Sequence, residues 1–338
     1  MRAALGSFIA SPRARFFLGV VLGFFFLALA VRGVDWSEVW GGLQQADALF
    51  IALALMITLA NISIKIVRWI ILLFAPARRL RTEDVSASFM VAQLLNSLFP
   101  LRVGDVSRVT VMGNRGADHG FVVGTILIEK YLDTLAFGLL TGLAVLILPL
   151  PGWLVGPVRS LAALILMSTL AIVFFSLNKS GVLGWAKRIS QGFGGRAANF
   201  IPVNLQAAYS AFQSVQKTPN LLFAATTTLL IWLTALGTNQ ALFSALDFKL
   251  PFEAALLSLL AITAGLSLPA LPGKVGVFEY ACVLALGQFG IDQSRALSYG
   301  ILLHVIVYLP VIVFGLLSFQ YLQIKPPGSV RIKPDQAE

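Results

Sequence analysis

Apolar runs dominate the chain, and they sort into two kinds by whether they are broken. Uninterrupted stretches at 16–31, 49–74, 121–150, 158–177, 221–245 and 296–322 predict six full membrane spans, since roughly 20 apolar residues cross a bilayer as a helix. Two further stretches, 85–112 and 252–289, are interrupted at their centres. The first interruption reads P-L-R-V-G at 100–104 and the second P-G-K-V-G at 272–276. Proline removes a backbone donor and clashes with the preceding turn, and glycine lets the chain turn sharply. Pro100, Gly104, Pro272, Gly273 and Gly276 therefore predict two pairs of half-helices, each entering and leaving the membrane by one face.

The two motifs are in register with their surroundings. Pro272 follows Pro100 by 172 residues, and the same offset carries Leu49 to Leu221 and Phe121 to Gln293. Span, broken stretch and span thus recur as a unit. Charge orients them. Arg2, Arg13 and Arg15, then Arg78, Arg79 and Arg81, then Lys179, Lys187, Arg188, Arg196 and Lys217, and finally Lys325, Arg331 and Lys333 form the cation-rich set that stays in the cytoplasm. The opposite loops carry Arg32, Asp35, Glu38, Asp47, Arg159, Asp247, Lys249 and Glu253. An odd number of crossings then separates the copies, so the second is upside down. Inverted repeats with broken helices meeting near the midplane are a transporter architecture.

The expected fold is an all-α polytopic membrane protein of about six full spans plus two broken re-entrant helix pairs arranged as an inverted repeat. A first helix and outer loop cover 1–48, repeat 1 covers 49–150, and a span with an amphipathic cytoplasmic linker covers 151–220. The inverted repeat 2 covers 221–322, and a cytoplasmic tail covers 323–338. In the linker, Leu205, Ala208, Tyr209, Phe212 and Val215 recur at helical spacing and suit an anionic cytoplasmic surface. The expected location is the cell membrane with both termini cytoplasmic. Ala28-Leu29-Ala30 resembles a signal-peptidase site, but a polytopic remainder makes the first apolar run an uncleaved helix.

Composition agrees and narrows the classes. The 338 residues are 58% hydrophobic and 12% charged, half the usual charge of soluble domains, with a mean hydropathy of +0.86. The net charge of +10 belongs to cytoplasmic loops, so no nucleic-acid partner is expected. Cys282 is the single cysteine, and His119 and His304 lie too far apart for ligand spacing, so neither a metal site nor a cofactor is expected. Each histidine is expected to be a packed polar residue.

Ionisable residues inside the apolar stretches carry the candidate chemistry. Arg102, Asp105 and Arg108 recur every three residues and share a face if the segment after Gly104 is helical. Glu129, Lys130 and Asp133 sit within the following span, Asp133 about 18 Å along it and near the midplane. Unpaired, each charge there costs roughly 2.5–3.5 kcal/mol, so they must face Arg102, Arg108, water or one another. In the second copy Lys274 corresponds to Arg102, and Glu279 is that copy's own acid. Arg102, Arg108 and Lys274 would suit a phosphate, with half-helix N-termini adding positive potential.

R-V-G-D-V-S-R at 102–108, E-K-Y-L-D at 129–133 and L-P-G-K-V-G-V-F-E at 271–279, with K-I-V-R-W at 65–69 as a weaker match, resemble the lysylphosphatidylglycerol synthase transmembrane-domain family, also called flippase-like domain proteins. The resemblance implies movement of a phospholipid or related lipid across the membrane. The expected function is thus a non-enzymatic, flippase-like transporter of an anionic, phosphate-bearing lipid, its membrane-lipid partner held by Arg102, Asp105, Arg108, Glu129, Lys130, Asp133, Lys274 and Glu279. Two alternatives stand beside it: a membrane enzyme that transfers a group to a lipid phosphate, and an accessory subunit of a lipid or glycan synthase complex.

Overall fold

The computed structural model describes residues 12–74, 80–99, 102–147, 218–267 and 271–324, with scattered positions between 152 and 213. The expected span at 158–177, the amphipathic linker, the tail and Pro100 lie largely or wholly outside the described residues. Every described element is helical. Helix α1 runs Pro12–Val31, α2 Trp36–Gln45, α3 Ala48–Phe74, α4 Thr82–Leu98, α5 Val103–Asn114 and α6 His119–Ile147. Then come α7 Thr218–Ala245, α8 Phe252–Gly265, a 3-10 turn Pro272–Lys274, α9 Val277–Gly287 and α10 Gln293–Ile324. Four helices (α3, α6, α7 and α10) are long and apolar enough to cross a bilayer, and the bent pair α1–α2 makes a fifth candidate. The chain turns by 84° between α1 and α2, with Gly33 at φ 74° in the corner and Asp35 capping α2 through the Ser37 N–H at 2.9 Å.

Both interrupted stretches break where their prolines and glycines stand. Phe99 (φ −113°, ψ 142°) and Leu271 (φ −53°, ψ 154°) are extended, because a following proline ring disfavours the helical well. Past the first break, α5 folds back along α4, and Gly104 comes so close that a Cβ there would lie 1.9 Å from the Ala92 carbonyl oxygen. Past the second, α9 folds back along α8, with Gly265 against Val277 and Ala281. Each broken stretch is a helical hairpin, as the motifs predict. At its open end the first hairpin is closed by an ion pair from Arg115 to Asp84, which also accepts from the Tyr321 hydroxyl of α10 at 3.2 Å.

Adding 172 residues to α3, α5 and α6 lands on α7, α9 and α10 to within a few residues. The corresponding helices α3 and α7 pack together and run antiparallel: Thr58 meets Thr238, Asn61 donates to Thr234 and the Ile231 carbonyl, and Arg68 donates to Thr228. Within a bilayer no hydrophobic effect drives helices together, so close backbone approach and such polar contacts, worth about 0.6–1 kcal/mol each, hold this seam. Two apolar cores flank it. One gathers Trp69, Leu73, Phe89, Met112 and Val122 from α3–α6; the other gathers Leu242, Leu256, Leu260, Cys282, Leu286 and Tyr299 from α7–α10. Helix α1 packs outside this scheme, against the second break, where a Cβ on Gly276 would lie 2.3 Å from the Gly23 carbonyl oxygen.

Candidate functional site

The charged residues of the first half assemble around the start of α5 and the middle of α6. Arg108, 1% exposed, meets Glu129 through both terminal nitrogens, at 3.3 and 2.8 Å. Its guanidinium lies over the Trp69 ring at 3.8 Å and beside Phe89. Such a paired cation, stacked between aromatic faces, is held by geometry that only arginine offers. Trp69 is fixed in turn by donating to Thr125 at 3.3 Å. Asp105 lies 3.9 Å from Arg108 and 3.6 Å from Lys130, and it accepts from the Asn96 amide at 3.2 Å. Of the three residues expected on one face, Asp105 and Arg108 lie together on α5, which is helical from Val103, whereas Arg102 precedes the helix in a left-handed conformation.

Asp133 forms an ion pair with neither Arg102 nor Arg108. Its partner is Arg68 of α3, 1% exposed, which reaches both carboxylate oxygens at 2.7 and 3.1 Å and also donates to Thr228 of α7 at 3.0 Å. Lys65, one turn earlier on α3, lies within reach of the Asp133 charge. Lys65 and Arg68 belong to the K-I-V-R-W stretch and are not among the expected site residues. The available signal was two cations three residues apart, hence on one face, in an otherwise apolar span.

Around the second break the arrangement differs. Glu279 accepts from the Gly276 N–H at 2.6 Å and pairs with Nδ1 of His304 on α10 at 2.5 Å. The imidazole packs at a tilt against Phe278 and Tyr308, with centroids 4.7 and 4.5 Å away. His304, expected as a packed polar residue, is packed in this way and is the partner of the buried Glu279. The half-helix N-termini are also engaged: Gly104 N–H donates to Asn96 at 2.8 Å, as Gly276 N–H does to Glu279.

The motif cations stand apart from these pairs. Arg102 is exposed with φ 52° and Lys274 half-buried with φ 63°, both in the left-handed region. Arg102, Lys130 and Asp133 (33% exposed) open onto a cavity of about 700 Å³. Its other walls are apolar or weakly polar: Phe26 of α1, Phe137 of α6, Trp232 of α7, Leu260 of α8 and Tyr280 and Leu284 of α9. Of the expected site residues, the structure brings Arg102, Lys130 and Asp133 to the cavity, places Asp105, Arg108 and Glu129 behind them as supports, and leaves Lys274 and Glu279 out of its lining, the turn that carries Lys274 packing against the first hairpin. Among the described residues no group of three or more acidic, histidine or cysteine side chains is arranged to hold a metal.

Fold and site together define a polytopic helical membrane protein with paired helical hairpins and charged residues buried among apolar spans. The chain belongs to the family described as the lysylphosphatidylglycerol synthase TM region, whose profile matches residues 16–315. It is also similar to a UPF0104 membrane protein of Methanothermobacter thermautotrophicus, 20% identical over 319 residues that cover 89% of this chain and 94% of the relative.

Proposed function

We propose that the protein is a flippase-like transporter that moves an anionic phospholipid or related lipid across the cell membrane, using the cavity as its head-group site. One observation carries the reading: the cavity is charged on one wall and apolar on the others, and its walls come from both halves of the chain. A lipid needs both surfaces at once, and about 700 Å³ lies within the range of small-molecule sites. In this reading Arg102 and Lys130 attract the head group, while Asp133, held by Arg68, keeps the empty site from carrying a still larger positive charge.

The halves are proposed to form an inverted repeat within about six spans, both termini cytoplasmic. The antiparallel packing of α3 on α7 supports this, since a two-fold axis in the membrane plane turns corresponding helices end for end. Transport is favoured over group transfer to a lipid because Glu129 and Asp133 are each clamped by an arginine, which leaves neither free as a base or ligand.

Proteoliposomes with fluorescent phosphatidylglycerol test the proposal. Protein should speed the exposure of inner-leaflet label to an impermeant quencher, and Arg102→Ala with Lys130→Ala should remove most of that rate. No protein-dependent exposure with any anionic lipid would refute it. A new lipid species by mass spectrometry would move the protein to the enzyme class.

A further inference from the structure

Glu279 of α9 and His304 of α10 are a buried titratable pair that stands outside the cavity lining. Their side chains are 8% and 14% exposed, and Nδ1 of the imidazole lies 2.5 Å from Oε1 of the carboxylate. The other carboxylate oxygen accepts from the Gly276 N–H at 2.6 Å. Contacts thus run from α10 through His304 and Glu279 to the backbone of the second break. His304 stands eleven residues past Gln293, about 17 Å into a helix long enough to span the membrane. At that depth an uncompensated charge is costly.

Glu129 and Asp133 are each compensated by an arginine, a permanent cation. Glu279 is paired instead with the one side chain whose charge changes near neutral pH. With Nδ1 at Glu279, Nε2 is left, and it makes no hydrogen bond among the described residues. A proton from water bound there forms an Nε2–H bond and turns a negative pair into a neutral one. No other charge nearby fixes the state of the pair. Tyr308 packs on the imidazole, and Cys282 lies three residues along α9 from Glu279. Lys274, five residues before Glu279, makes no ion pair with it. Helix α8 carries only Glu253 and α1 only Arg13 and Arg15, each near the start of its helix, and α7 carries no ionisable residue. Of the other helices against α10, α2 has the exposed Glu38, α3 has Lys65 and the Asp133-bound Arg68, and α4 has Glu83 and Asp84 toward Tyr321, seventeen residues beyond His304.

Helix α9 joins the pair to the cavity. Its eleven residues place Val277, Tyr280, Ala281 and Leu284 on the cavity wall, while Glu279 meets α10. A negative head group on one side and a negative pair on the other repel across a helix about 10 Å thick, in a medium of low dielectric. Resting on the transport reading, we infer that Glu279 and His304 form a proton-carrying site that takes up one proton with each lipid anion. Lipid and proton then cross together, and no net charge moves.

One proton per singly charged lipid makes a pH gradient and a lipid gradient interchangeable at equilibrium. The full chain is placed in liposomes with fluorescent phosphatidylglycerol, the outside more acidic by about one pH unit and the membrane potential clamped with potassium and valinomycin. The inner leaflet should come to hold about tenfold more label than the outer, read with an impermeant quencher. Glu279→Gln removes the acid. His304→Lys keeps a cation beside Glu279, and so keeps a structural pair, but does not titrate near neutral pH. Each should bring the ratio close to one. Wild type in weakly buffered detergent should also take up about one proton per phosphatidylglycerol bound, read with an indicator dye. Lipid crossing with a ratio of one in wild type would overturn the inference and leave the transport reading standing. A tenfold ratio that persists in His304→Lys, or binding without proton uptake, would overturn the assignment to this pair. No protein-dependent crossing by wild type would overturn both readings.

Discussion

Arg108 is 1% exposed, clamped by Glu129 and roofed by Trp69, whereas Arg102, six residues earlier, is exposed and lines the cavity. Physical chemistry gives the two opposite phenotypes. Arg108→Ala leaves Glu129 buried without its partner, and breaking one side of a buried pair costs about 3–5 kcal/mol. Thermal unfolding in detergent should show that loss, and Arg108→Met combined with Glu129→Leu should recover much of it, because no charge is then stranded. Arg102→Gly removes a left-handed strain of about 1–2 kcal/mol at a site with no ion pair among the described residues. Its melting temperature should hold or rise while transport falls. A pair of variants that lose stability equally would show Arg102 to be scaffold.

At the scale of elements, close backbone approach makes two glycines the joints of the hairpins. Gly276 has φ 88° and lies against the α1 backbone at Gly23, so an alanine there meets both a disfavoured backbone and a wall. Gly276→Ala should cost at least about 1–2 kcal/mol from the backbone conformation alone, and displacement of α1 from the second break should add to it. Gly142, inside α6, has nothing within 4 Å of an added Cβ. Gly142→Ala should be neutral or stabilising by about 0.5–1 kcal/mol, since glycine in a helix interior loses more freedom on folding. Unfolding of both variants in one detergent makes the comparison. Similar small effects would mean that α1 is loosely attached. The prolines and glycines of both breaks were legible in the sequence because their effect is local, whereas the docking of α1 on Gly276 was not, because it joins residues about 250 apart.

At the scale of the whole molecule the question is orientation. Val103 and Val275 are separated by the repeat offset, each follows its motif cation, and each is exposed. Single cysteines there, in a Cys282→Ser background, should react with an impermeant maleimide from opposite sides of sealed vesicles if the copies are inverted. Reaction from the same side would make the repeats parallel, and the antiparallel seam between α3 and α7 would then need another origin.

Length and composition alone settled that this chain is a helical membrane protein, because crossing a bilayer demands long apolar runs whatever they pack against. The breaks, their repeat and the motif cations were equally plain, since proline, glycine and a charge in an apolar run act on the backbone where they stand. Which charge meets which was decided only in three dimensions. Asp133 lies 65 residues from Arg68, and Glu279 lies 25 from His304, so neither pairing follows from spacing on one helix. Each depends on how far a helix is rotated about its axis and which neighbour it faces. Packing sets that rotation, and it separates the buried supports, Arg68 and Arg108, from the cations that line the cavity, Arg102 and Lys130.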